Sequence, residues 1–242
     1  MTARQALHRA SFPVMGTTAS VHVDDAIDHG VFDSVVGKFR AEMERLESMF
    51  SVFRPESEIS RINAGTLHHL DASPEVMEVL DACNWLEQAS GGAFSIRRSR
   101  DATDINPSGF VKGWATERAS MVFADAGLSH WYAGVGGDII ARGGLNGDGP
   151  WRVGIADPRD AGMLVGTVEI TDGAVATSGT AERGKHLWDP RTGEPATHYL
   201  SVTVSGPSLT LADAYATTVF VMGESGPAWL AQFEGYSVLP VR

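Results

Sequence analysis

Asp213 and Thr217 stand four residues apart in a stretch, residues 209–222, that reads as a helix. At that spacing both side-chain oxygens project from one face. A carboxylate and a hydroxyl on one face, with glycine-rich loops elsewhere in the chain, form the oxygen set that a hard cation beside a phosphate requires. Two simpler readings stay open. A carboxylate in the first turn of a helix is favoured by the dipole with no metal present, and a helical threonine can bond the carbonyl one turn back.

A cation belonging to the chain stands in Asn106-Pro107-Ser108-Gly109-Phe110-Val111-Lys112-Gly113, a loop that opens a helix. Amides at a helix start attract anions, and Lys112 adds a point charge suited to phosphate. The order differs from the P-loop, whose lysine directly follows its last glycine and precedes Ser or Thr. Ala133-Gly134-Val135-Gly136-Gly137-Asp138 departs from the dinucleotide fingerprint: Ile139 holds the third glycine's place, and a strand and turn follow instead of a helix. This segment is either a hairpin turn or a loop whose backbone comes close to a flat ligand.

Ala176-Thr177-Ser178-Gly179-Thr180 lacks the leading glycine of a nucleophile elbow. A Ser178–His186–Asp189 triad can be written, but its order and close spacing argue against it. His186 by itself is either a base or a hydrogen-bonded strand-end histidine. Cys83, the single cysteine, excludes an intramolecular disulfide and a four-cysteine metal site. Its helical, apolar surroundings predict a buried, inert thiol.

The elements that must position these groups follow from periodicity. Residues 12–23 read as a strand. Residues 26–50 read as a helix, with Val31, Val35, Phe39, Met43, Leu46 and Phe50 recurring at spacings of three and four. Ser73-Pro74-Glu75 starts a helix that runs to about residue 89 and stops at Ser90-Gly91-Gly92. A further helix is predicted over 109–125. Short apolar runs follow at 131–133, 138–142, 151–156, 164–170, 175–177, 187–188 and 202–204, separated by Gly, Asn, Asp and Pro. Helices at 209–222 and 226–233 lead to a last strand at 236–241. Helices gather in the first half and hairpin-spaced strands in the second, which is an α+β pattern.

The 242 residues suit a single domain over 1–242, and 43% hydrophobic content suits a globular one. Thirty acidic against 19 basic residues give a net charge of −11, which argues against nucleic-acid and anionic-lipid partners. No stretch reaches the roughly 20 apolar residues of a membrane span. The first seven residues carry no apolar run of signal-peptide length, so the expected location is cytoplasmic.

In order along nearly the whole chain, the segments resemble the ApbE family of FAD:protein FMN transferases. The resemblance begins with Pro13-Val14-Met15-Gly16-Thr17, Ser51-Val52-Phe53 and Ser57-Glu58-Ile59-Ser60-Arg61-Ile62-Asn63. It continues through Gly91-Gly92-Ala93-Phe94, Ser108-Gly109-Phe110-Val111-Lys112-Gly113-Trp114-Ala115 and Gly136-Gly137-Asp138-Ile139. It ends with Trp151 to Pro158, Ala176 to Gly179, His186 to Pro195 and Ala212-Asp213-Ala214-Tyr215-Ala216-Thr217. This chain has Asn106 and Ser95 where the family usually has Asp, and Phe53 where a tyrosine is common.

The resemblance implies an ApbE-like (T-fold-like) α+β domain of antiparallel sheets packed by helices. It also implies Mg²⁺-dependent transfer of the FMN half of FAD to a Thr or Ser hydroxyl of a target flavoprotein, with release of AMP. Asp213, Thr217 and a backbone carbonyl near Gly109 would then hold the metal. Lys112 and the loop at Asn106 would face the pyrophosphate. Met15, Phe53, Ala93, Phe94 and Ser95 would line the flavin and adenine slots. Gly136, Gly137, Asp138, Ser178 and Leu187 would complete the cofactor contacts, and His186 would take the acceptor's proton and touch the cofactor. Hydrolysis of FAD to FMN and AMP, with water as acceptor, stays open as an alternative, as does a non-catalytic flavin-binding protein.

Overall fold

The computed structural model describes residues 7–145, 149–179 and 187–242. The first predicted strand is two strands, β1 (His8–Val14) and β2 (Thr17–Val23), paired antiparallel. Met15 and Gly16 form the turn between them with φ of 50° and 69°. Two consecutive positive φ values give a two-residue hairpin loop the twist that its strands need. Alternation of β-branched residues runs through that turn, which is why the two strands read as one. The Met15 amide donates to Glu47 Oε2 at 3.1 Å and so ties the turn to α1 (His29–Phe50).

Helix α1 starts at its cap, Asp28, whose carboxylate accepts from the Val31 amide. Its buried face is Phe32, Val35, Phe39, Met43, Leu46 and Phe50, while the predicted Val31 is exposed. Helices α2 (Glu58–Asn63) and α3 (Pro74–Ala89) follow, capped by Ser57 and Ser73. The helix predicted over 109–125 is two, α4 (Ser108–Ala119) and α5 (Met121–Asp125). At the break the Ser120 hydroxyl donates to the Glu117 carbonyl at 2.7 Å, a local bond that competes with the helical ladder.

The second half supplies β3 (Trp131–Val135), β4 (Asp138–Arg142), β5 (Trp151–Asp157), β6 (Asp160–Ile170), β7 (Gly173–Gly179), β8 (Trp188–Asp189), β9 (Glu194–Pro195) and β10 (Ser201–Gly206). Helix α6 (Leu209–Met222), a shorter α7 (Gly226–Leu230) and β11 (Ser237–Val241) complete it. Among the described residues the main sheet has the order β1-β2-β3-β4-β7-β10-β11, every neighbour antiparallel.

Strand alternation divides the sheet residues between two cores. Ala133, Ile140, Ala174 and Ala176 join the large core shared with α1, α4 and α6. Ala141 and Val175 join a smaller core with Trp151, Ile155 and Ile170 of the β5–β6 hairpin, which covers the other face. Helices on one side and a hairpin on the other leave the central strands β4 and β7 between them.

Candidate functional site

Helices α4 and α6 meet where Gly113 lets them. A β-carbon at Gly113 would lie 2.7 Å from the Leu209 carbonyl oxygen and 2.8 Å from Asp213 Cβ. The Gly113 amide donates to Asp213 Oδ2 at 2.9 Å. The start of α6 is fixed by Glu117 of α4, whose Oε2 accepts from Ser208 Oγ (2.7 Å), Thr210 N (2.8 Å) and Thr210 Oγ1 (2.6 Å). The negative charge at that helix N-terminus is therefore Glu117. Asp213 sits beyond the first turn, so the dipole does not account for it.

Thr217 does not bond the carbonyl one turn back. Its hydroxyl pairs with Ser178 Oγ of β7 at 2.9 Å, and the neighbouring Thr218 makes the backbone bond to Ala214 O. Asp213 and Thr217 thus present a buried carboxylate and a hydroxyl toward β7. Lys112 reaches the same point: its ammonium lies 3.1 Å from Asp213 Oδ2 and is ion-paired with Asp138. Asp138 is buried, and its other oxygen accepts from the Thr177 amide at 2.9 Å. Among the described residues, one ammonium between two buried carboxylates leaves one unit of formal negative charge in excess.

Over these groups opens a cleft of about 1040 Å³. Phe53, Ala93, Phe94, Ser95, Asn106, Gly109, Lys112, Gly136, Gly137, Ser178, Leu187, Asp213 and Thr217 line it. The β5–β6 hairpin forms a wall through residues such as Gly154, Ala156 and Pro158, which sequence reasoning did not single out for this role. Gly136 and Gly137 make the β3–β4 hairpin turn, with φ of 58° and 87°, and that turn also lines the cleft. Phe53 stands at the rim, 92% exposed.

Asn106 lines the cleft, yet its side-chain oxygen turns to the start of α4 and accepts from Ser108 N at 3.1 Å. Asn63 clamps the same loop through two 2.9 Å bonds to the backbone of Ile105. Met15 lies away from the lining, in the β1–β2 turn and against the large core. Asp138 lies beneath the floor, facing Lys112. His186 falls outside the described residues.

Of the triad that can be written on paper, the two described members, Ser178 and Asp189, are engaged elsewhere. Ser178 is paired with Thr217, and Arg191 grips Asp189 through Nε (2.8 Å) and Nη2 (2.7 Å). That grip holds the Asp189 carboxyl below its ordinary range. Cys83 is buried, and its thiol is pushed up by burial, so it is inert at neutral pH. Gly113 is the site residue that sequence reasoning passed over. A glycine inside a helix, costing about 1 kcal/mol against alanine, was the available signal.

Among the described residues no three His, Cys, Asp or Glu side chains gather around one point. A metal here could not be caged by acidic side chains alone. The oxygen donors present are one carboxylate, two hydroxyls and nearby backbone carbonyls. Those are hard donors with excess negative charge, which suit a small divalent cation that keeps waters and takes further oxygens from a phosphate.

Comparison with known proteins gives the family and the fold. The ApbE family model matches residues 15–100 and 95–239. The FAD:protein FMN transferase of Klebsiella pneumoniae (strain 342) is 34% identical over 138 residues, 52% of this chain and 39% of that protein. The protein of the same name from Rhodobacter capsulatus is 31% identical over 190 residues, 72% of this chain and 36% of that protein. The matched stretch thus spans about two fifths of these relatives' length. Among solved structures, the apbe protein of Thermotoga maritima superposes with a TM-score of 0.84 at 23% identity, covering 97% of this chain and 94% of that one. Flavin Transferase ApbE from Vibrio cholerae gives 0.80 at 21%, with 98% of each chain covered. At these identities the structures establish the α+β fold that the sequence predicts.

Proposed function

The chain belongs to the ApbE family, and from that premise we propose that it transfers FMN from FAD to a Thr or Ser hydroxyl of a target flavoprotein, releasing AMP. The observation that carries this reading is Lys112 held between Asp138 and Asp213 on the floor of a cleft of about 1040 Å³. That volume is above the ~300–1,000 Å³ usual for drug-sized ligands and suits a long one. A fixed ammonium and the Gly136–Gly137 turn would receive the pyrophosphate, while Phe53 and Phe94 supply aromatic surface for a flat ring system.

Asp213, Thr217 and the Gly109 carbonyl would hold Mg²⁺. The bound cation supplies positive charge against the charge that develops on the transferring phosphate. The chain's own groups do the rest. Lys112 orients the phosphate, Ser178 fixes the Thr217 hydroxyl, and Asp138 keeps Lys112 from swinging into solvent. The acceptor oxygen attacks the phosphorus of the FMN half, the P–O bond to the AMP phosphate breaks, and the acceptor's proton passes to a base. His186 is the proposed base on its sequence position. Holding the acceptor near in-line geometry lets transfer outrun attack by abundant water.

The test is incubation with FAD, Mg²⁺ and a candidate acceptor flavoprotein, read by intact mass and AMP release. A gain of one FMN on the acceptor, with AMP formed faster when acceptor is present, supports the reading. AMP at one rate with or without acceptor, and no protein gaining mass, makes the enzyme a FAD pyrophosphatase.

A further inference from the structure

We propose that the arginine-rich rim beside the cleft is a docking surface for an acidic segment of the acceptor protein, an inference that rests on the transfer reading above. Arg97, Arg98 and Arg100 are carried on the loop between Phe94 and Asn106 and are all exposed. The ion pairs among the described residues include none of the three. Arg98 is held with its guanidinium 3.9 Å from the centre of the Trp188 ring, so one face of it is fixed. Arg191 stands next to them, its charge balanced by Asp189. A side hollow of about 300 Å³ opens between Arg97, Ser99, Arg100, Arg191 and a single carboxylate, Glu87, and it shares Ser95, Arg97 and Pro190 with the main cleft.

Three arginines side by side, none of them in an ion pair among the described residues, stand out in a chain with 30 acidic and 19 basic residues. The rest of the surface repels an acidic partner, and the rim attracts one, so the field selects an orientation as well as a partner. The rim borders the cleft over Lys112, and a partner docked there brings its own chain to the place where a hydroxyl would enter. Exposure decides between a protein segment and a small anion. A small-anion site owes its strength to desolvated donors, whereas exposed arginines are individually weak and act together on encounter.

The experiment uses the full-length protein with FAD bound and a fluorescein-labelled peptide, one threonine flanked by Asp and Glu. A lysine-flanked peptide is the control, and association is followed by anisotropy and stopped flow. The acidic peptide should bind and the lysine peptide should not. Arg100→Glu, at a position outside the main cleft's lining, should slow association ~10-fold or more, and Arg100→Gln should fall between. The difference should vanish near ~1 M salt, where charges are screened within about 3 Å, and FAD affinity should be unchanged. Equal association rates for wild type and Arg100→Glu overturn the proposal. So does displacement of the peptide by millimolar inorganic phosphate, which would mark a small-anion site. Binding is read without any FMN transfer, so failure of the transfer assay and failure of docking are separate results.

Discussion

Lys112 shares its ammonium between Asp138 and Asp213, and this arrangement sets what each nearby residue can do. Removing Asp213 takes away the carboxylate of the proposed cation site and also one of the two anchors of Lys112. Asp213→Ala should therefore lower turnover by ~10²-fold or more, and Thr217→Ala, which loses a neutral oxygen, by about 10-fold. Excess EDTA should reproduce the Asp213→Ala rate. Full activity in EDTA would remove the metal from the mechanism. Asp213 and Thr217 were legible in the sequence because a four-residue spacing on a helix is a local fact. The pairing of Asp138 with Lys112 was not, because it depends on the register that seats the Gly136–Gly137 turn against α4. Asp138 was named as a cofactor contact through the family resemblance, and its carboxylate pairs with Lys112 from below the floor.

At the scale of elements, the α4–α6 crossing depends on a missing side chain. Alanine is the better helix former by about 1 kcal/mol, so propensity alone favours Gly113→Ala. The new β-carbon would meet the Leu209 carbonyl and Asp213 Cβ inside 3 Å, and forcing helices apart typically costs ~1–3 kcal/mol. The clash should win, lowering stability in denaturant titrations and displacing Asp213 so that turnover falls as well. Gly37 of α1 is exposed with nothing within 4 Å of its would-be β-carbon, and Gly37→Ala should stabilise by about 1 kcal/mol. If both alanines stabilise, Gly113 is not a close-approach residue.

The hairpin wall of the cleft rests on a different contact. His22 stacks on Tyr132 (ring centres 4.3 Å apart), and Tyr132 meets Trp151 of β5 edge-on at 5.1 Å. Burial, with Arg9 nearby, brings the His22 imidazole down to about 4. The neutral ring is the form the fold accepts, while the unfolded chain protonates it near the ordinary imidazole value of 6.5. Between those values the unfolded state binds more protons, so stability is lost as pH falls from about 6.5 through about 4 and is unaffected above that window. The unfolding midpoint of His22→Gln should fall less steeply than wild type across this interval. Parallel curves would show that His22 does not titrate with folding. The strands that carry this contact were readable from alternation. The Met15–Gly16 turn and the Ser120 break were not, since local polar bonds interrupt patterns that look continuous.

For the whole molecule, the cleft is assembled from parts distant in sequence: the loop after Phe94, the start of α4, the β5–β6 hairpin, β7 and α6. A ligand spanning them stabilises the native chain alone, because the unfolded chain has no such cleft. At a concentration 100 times its dissociation constant, FAD should add about 2.7 kcal/mol, which for a chain of this size is a rise of roughly 5–10 °C in the unfolding midpoint. If the Asp213–Thr217 pair holds a cation beside the pyrophosphate, FAD and Mg²⁺ must raise each other's affinity by the same factor. At a fixed, sub-saturating FAD concentration, adding Mg²⁺ should then shift the midpoint by more than the sum of the two separate effects. Asp213→Ala should keep most of the FAD shift and lose the surplus. Strictly additive shifts in the wild-type chain would separate the cation from the phosphate and leave Lys112, among the described residues, as the charged partner of the phosphate on the cleft floor.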